Sequence, residues 1–145
     1  MNHQNFQKLA DQARPKPKKL RNAIVAFVSG GIVALAGQGL IDLYKTWFDM
    51  DAKEATTPMI ITVILITIIL TGLGFYDRLG QFCGAGLFIP ISGFANAMSS
   101  EAIESRHEGP VFGIGSNMFK LAGSVVTYGI VSAYIVGIIR YFFHL

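Results

Sequence analysis

Three side chains stand where an apolar chain tolerates them poorly. Asn96 and Asn117 carry amides, Lys120 carries a cation, and each lies in or beside an uncharged run. A lysine in such a place is costly unless it snorkels to the interface, pairs with an acid or meets an anion. Gln38 and Gln81 add two further amides, and Ser92 adds a hydroxyl. Groups of this kind hold or pass a solute. Catalysis is not expected. Cys83 is the single cysteine, and the histidines are His3, His107 and His144, so no nucleophile and base share a segment. A lone cysteine also excludes an intrachain disulfide and a cysteine metal cluster, and it reads as a small packing residue. Glu101, Glu104 and Glu108 could suggest calcium ligands, but without an EF-hand pattern they read as a solvated loop. No metal site, cofactor or enzyme activity is expected.

The elements that must position these residues are membrane spans. Of 145 residues, 52% are hydrophobic and 14% charged, with a mean hydropathy of +0.48. Several uncharged runs approach the 20 residues that cross a bilayer. Six of the twelve basic residues fall within the first 21 positions, where Asp11 is the only acid. A basic tail beside a span signals orientation rather than nucleic-acid binding. Residues 1–21 therefore read as a mostly flexible cytoplasmic tail, in which Phe6, Leu9 and Ala10 could form a short surface helix. Residues 22–145 read as one membrane domain. Ala34-Leu35-Ala36 resembles a signal-peptide cleavage site, but the apolar run continues to Ile41 and more spans follow. An uncleaved anchor is the expectation.

The first span is expected over 22–44. Ala26, Gly30 and Ala34 recur every fourth residue and form a stripe that lets another helix approach closely. Gln38 continues that stripe and faces protein or water, by packing or by lining a pore. A loop over 45–56 follows, with Tyr44 and Trp47 suited to the interface. The positive-inside rule puts the tail in the cytoplasm and this loop outside. The second helix should open at Thr57 as cap and Pro58 as first residue. Its Ile, Leu, Val and Thr run shows no polar stripe and reads as lipid-facing. Gly72 and Gly74 loosen its end, and Asp77-Arg78 mark the cytoplasmic edge.

The stretch "GQFCGAGLFIPISGFANAMSS", from Gly80 to Ser100, is uncharged and long enough to cross, yet rich in glycine around Pro90. Proline removes a donor and clashes with the preceding turn. A broken or re-entrant segment is expected around Gly84, Gly86 and Pro90, with Ser92 as N-cap of a resumed helix. A kinked continuous span is the alternative. Irregular backbone at this depth needs protein or water around it. Past the charged loop 101–109, Leu121–Ile139 alone could cross, with Gly129, Ala133 and Gly137 as a close-packing face. Pro110–Phe119 is either a second re-entrant piece or the start of one long helix. The fold class is thus an all-α integral membrane protein with three or four transmembrane helices and a broken Gly/Pro-rich segment. Four crossings would leave both termini in the cytoplasm, and three would put the C-terminus outside.

Several blocks are more specific than hydropathy: "GGIVALAGQGL", "TGLGFYDRLGQFCGAG", "PISGFANAM" and "EGPVFGIGSNMFKLAGSVV". Together they resemble the SpoVA family of sporulation membrane proteins, its AC branch more than its AE branch, over nearly all of the chain from the first span onward. The resemblance implies a membrane subunit in the inner membrane of the bacterial endospore. It implies transport of dipicolinic acid, as its calcium chelate, into the forming spore and out during germination. The implied partners are an AE-type membrane subunit and a thiolase-like AD subunit, in an oligomer. The family supplies no transport residues to carry over. The expected path is therefore a physical reading: Gln38, Gln81, Gly84, Gly86, Pro90, Ser92, Asn96, Asn117 and Lys120, with Asn96, Asn117 and Lys120 near one shared polar route. A planar dianion needs amides, hydroxyls and one cation along its way. The competing readings are a less selective, tension-opened pore and a non-conducting assembly scaffold.

Overall fold

The computed structural model describes residues 18–143. The expected tail helix around Phe6 and the tail up to residue 17 lie outside that range. Among the described residues, six α-helices occur in chain order: α1 (Lys19–Phe48), α2 (Ala52–Gly72), α3 (Phe75–Cys83), α4 (Ala85–Phe88), α5 (Ile91–Glu104) and α6 (Ser116–Phe143). A 3-10 turn at Ser105–Glu108 and a π-helical turn at Pro110–Gly115 join α5 to α6. The fold is all-α, as expected, and among the described residues three helices are long and apolar enough to cross a membrane: α1, α2 and the continuous Pro110–Phe143 helix. Pro110–Phe119 is therefore not a separate re-entrant piece. Pro110 stands at a helix start, where its missing N–H costs nothing, and the helix runs on through the π turn.

α1 and α2 form a hairpin with a shorter connection than expected. Asp49 takes the left-handed conformation that ends α1, with φ 53°. Asp51 and Glu54 then form a capping box that starts α2 at Ala52. The Asp51 N–H donates to Glu54 Oε2 at 3.2 Å. The start expected at Thr57 and Pro58 is thus corrected, and Pro58 lies inside the helix. The box satisfies two orphan donors at once. Against this, Pro58 forfeits one bond, to the carbonyl of Glu54, an exposed residue that water can reach. Lower in the hairpin, the hydroxyls of Tyr44 and Thr62 meet at 2.6 Å.

α2 is the central helix, with α1 against one side and α5 against another. The lipid-facing reading of α2 is corrected accordingly. Ala55, Thr67 and Thr71 are buried, while Ile61, Leu65, Ile66, Ile68 and Ile69 are exposed. In a bilayer nothing drives isoleucine inward, since lipid is as apolar as the core. The inward face instead carries the small and hydroxylated residues. Thr56, Thr62, Thr67 and Thr71 each donate to the carbonyl four residues earlier, at 2.8–2.9 Å. These bonds make threonine tolerable inside a membrane helix.

Between α2 and α5 the chain is broken three times. Gly74 (φ 72°) turns it out of α2 into α3. Gly84 (φ 57°, ψ −133°) separates α3 from the single turn α4, and extended Pro90 (ψ 171°) separates α4 from α5. The continuous kinked helix is excluded, and the expected break is present. Ser92 is not its N-cap. Pro90 holds that position and Ser92 lies in the first turn of α5.

Candidate functional site

The break is held by close backbone contacts. α4 lies on α1, where Gly86 meets Ala26 O, Ser29 Oγ and Gly30 N. A Cβ on Gly86 would occupy the space those atoms take, so only glycine fits. Gly30 faces Gly86 from the other side. Ser29 Oγ bridges Ala26 O and Cys83 O, at 3.2 and 3.3 Å, which pins the end of α3 to α1. Cys83 itself is partly buried. Gly93 lets the first turn of α5 press against the backbone of Phe88.

A polar layer lies behind this junction. Tyr76 is 2% exposed, and its hydroxyl donates to Leu87 O at 2.9 Å. Ser92 Oγ also reaches Leu87 O, at 3.4 Å. The Leu87 carbonyl lies beside the Pro90 break, and these two hydroxyls meet it in place of a regular ladder. Asn96 is 6% exposed and lies 2.8 Å from Thr71 Oγ1, which also lies 2.8 Å from Thr67 O. One hydroxyl proton cannot fully serve two acceptors. With the Asn96 amide turned so that Nδ2 donates to Thr71, both bonds close. Tyr76, Thr67 and Thr71 were not among the residues singled out from sequence. The spacing of four between Thr67 and Thr71 was the available signal, hidden inside an otherwise uniform apolar run.

A second polar feature lies where α5 meets α6. Asn117 Nδ2 donates to Ser105 Oγ at 2.9 Å, and Ser105 Oγ reaches Glu101 Oε1 at 3.4 Å. Glu101, Asn117 and Lys120 line one open groove of about 270 Å³ with Leu121 and Ser124. Asn117 and Lys120 are thus together. Asn96 lies elsewhere on α5, in the layer bonded to α2. The remaining expected residues are dispersed. Gln81 lines a hollow with Asn22, Ala26 and Cys83. Gln38 is exposed on α1 and its Nε2 donates to Asp42 Oδ1 at 3.1 Å. Gly129, Ala133 and Gly137 lie on the exposed part of α6, where no residue is buried.

Among the described residues, the buried set is mostly hydroxyl and amide: Ser29, Thr67, Thr71, Ser92, Asn96 and Ser105, against Ala55, Tyr76 and Ala95. The large apolar side chains point outward. Comparison with known proteins gives a consistent answer. The SpoVAC/SpoVAEB sporulation membrane protein family matches residues 22–139. Stage V sporulation protein AC of Bacillus subtilis (strain 168) is 48% identical over 140 residues, which cover 97% of this chain and 93% of that protein. No solved structure matches.

Proposed function

Since this chain belongs to the SpoVAC/SpoVAEB family of sporulation membrane proteins, we propose that it is a subunit of the path by which dipicolinic acid, with calcium, crosses the inner spore membrane. The observation that carries this reading is the inverted interior. Six polar residues face inward and the isoleucines outward, so a polar lining stands beside the break. Glycine and proline breaks beside that interior place backbone amides and carbonyls at membrane depth, the arrangement used where a solute is bound between broken helices. The groove of Glu101, Asn117 and Lys120 supplies the cation and an acid at its edge. No step of bond chemistry is part of this role. The subunit works with other SpoVA proteins in an oligomer, with its basic tail in the cytoplasm. A scaffold reading also has an observation in its favour, because α6 presents a fully exposed stretch, Gly123 to Phe143, to neighbours.

Lys120 separates the two. Spores carrying Lys120→Ala should accumulate less dipicolinate at unchanged membrane protein level. Lys120→Arg should retain more, because it keeps the charge, and Lys120→Glu should retain least. Normal dipicolinate content in Lys120→Glu spores would remove the lysine from the path and leave it as a snorkelling residue.

A further inference from the structure

Two amides line one hollow at the edge of the bundle. Asn22, at the start of α1, and Gln81, near the end of α3, border it with Ala26 and Phe82, over about 390 Å³. Neither amide side chain has a hydrogen bond among the described residues. The depth of the hollow is fixed from both helices. α1 is uncharged from Asn22 to Ile41, a run of 20 residues. That is about 30 Å of helix, the thickness of the hydrocarbon core. Asn22 therefore lies at the edge of the core, with Lys18, Lys19 and Arg21 in the headgroup layer beyond it. α3 marks the same boundary by its three faces. Tyr76 and Gly80 are buried against protein, Phe75, Leu79 and Phe82 are exposed and apolar, and Asp77, Arg78 and Gln81 are exposed and polar. At 100° per residue these sets separate around the helix. A helix with one lipid side and one water side lies in the interface.

The charge around the hollow is one-sided. The Asn22 N–H donates to Lys18 O at 2.9 Å, so Lys18 stands one turn before Asn22 in the row that continues to Ala26. Lys19 stands one turn before Ala23, which also lines the hollow. From the other helix, Arg78 stands one turn before Gln81 and Phe82. Asp77 is the one acid beside them, and none of the three cations has an ion pair among the described residues. The hollow also continues inward. Ala26 and Ala85 line both it and an apolar groove that runs on past Gly30 to Ala34 and Ile89. Cations, then amides with free donors, then an apolar groove follow one another from the membrane surface into its core. Phosphate, ester carbonyl and acyl chain follow one another in the same order. The geometry points to a site for one anionic phospholipid. Its phosphate is held by Lys18, Lys19 and Arg78, its ester carbonyls by the Asn22 and Gln81 amides, and one chain lies in the groove along α1. Basic pockets between membrane helices bind anionic headgroups in this way. A free anion has no use for the groove, and a lipid without net charge has none for three cations.

The experiment uses the full chain in lipid vesicles. Trp47 is the single tryptophan, so Trp47→Phe with Phe82→Trp moves the reporter into the hollow. Lipids with brominated chains quench a tryptophan they touch. The quantity read is the ratio of binding constants for brominated phosphatidylglycerol over brominated phosphatidylcholine. It should exceed about five, the effect of a single cation near the surface. A second reporter, Phe27→Trp, borders the groove expected to hold the acyl chain and should give the same preference. Lys18→Gln, Lys19→Gln and Arg78→Gln together should bring the ratio to about one. Asn22→Leu with Gln81→Leu leaves every charge in place and should still lower it at least about twofold. Excess inorganic phosphate should leave it unchanged. Several results would overturn the inference. One is a ratio of about one at both reporters. Others are a ratio unmoved by the cation variants or by the amide variants, and an equal preference read at Trp47 in the parent chain, which would show general surface attraction. Reversal by inorganic phosphate would also overturn it, by showing that the hollow takes a free anion. None of these measurements reads dipicolinate, so the outcome is separate from the transport reading.

Discussion

α2 and α6 are nearly alike as strings and opposite as parts of a structure. Both are long and apolar enough to cross a membrane, α6 as part of the Pro110–Phe143 span. α2 has neighbours on two sides and buries Ala55, Thr67 and Thr71, whereas α6 buries nothing. Hydropathy places a helix in the bilayer but does not say what it touches there. Contacts are chosen by the residues lipid serves badly, hydroxyls and amides, and by those small enough to let backbones meet.

The largest effect that can break this contrast is topological. The pieces between α2 and α6 have 9, 4 and 14 residues. The longest reaches about 21 Å as a helix, short of a hydrocarbon core of about 30 Å. α6 should therefore begin on the face where α2 ends. In a Cys83→Ala background, cysteines replacing Lys19 and Phe143 should label from opposite sides, with Asp51→Cys sharing the side of position 143. Labelling of 19 and 143 from one side would make α3–α5 a fourth crossing.

Next in size are the glycines. Gly86→Ala and Gly93→Ala each drive a methyl into fixed backbone. Each should lower the stability of the detergent-purified protein by about 3 kcal/mol, the upper range for overpacking. Gly123→Ala on α6 meets nothing and should raise it by less than about 1 kcal/mol. Equal effects at the three sites would erase the difference between the halves.

The polar layer is a smaller test. Thr71→Val or Asn96→Leu alone leaves a buried partner unpaired and should cost about 1–3 kcal/mol. The double variant should cost less than the sum, and strict additivity would show that the two side chains do not act as a pair. The smallest effect is expected at the rim. Asp51→Ala should cost about 1 kcal/mol by removing one half of the capping box, seen as a modest drop in thermal midpoint.

Much of this was readable from residues. Uncharged runs located the three long helices, and the density of glycine around Pro90 located the break. Gly30 was readable as a close-contact residue, although its partner, Gly86, was not. Three features were misplaced for definite reasons. The Thr57-Pro58 pair looked like a helix start because proline suits a first turn, but the Asp51 and Glu54 box reached further back. Ser92 looked like a cap because serine often is one, but Pro90 already supplied the extended residue. Thr67 and Thr71 were lost among Ile and Leu because β-branched residues look alike in a bilayer until their hydroxyls are followed. Tyr76, beside Asp77 and Arg78, drew no expectation from the sequence, yet its ring is buried and its hydroxyl donates to Leu87 O.

The threonine bonds along α2 have a consequence for what that helix can offer a passing solute. Each hydroxyl proton is committed to the carbonyl four residues back. The oxygens can then only accept, and those of Thr62 and Thr71 already do so, from the Tyr44 hydroxyl and the Asn96 amide. The central wall of the bundle is therefore an acceptor surface that welcomes water protons and cations and gives a carboxylate nothing to bind. A group that needs a donor at this wall finds none on α2 and must turn to the Asn96 amide or to the backbone of the break.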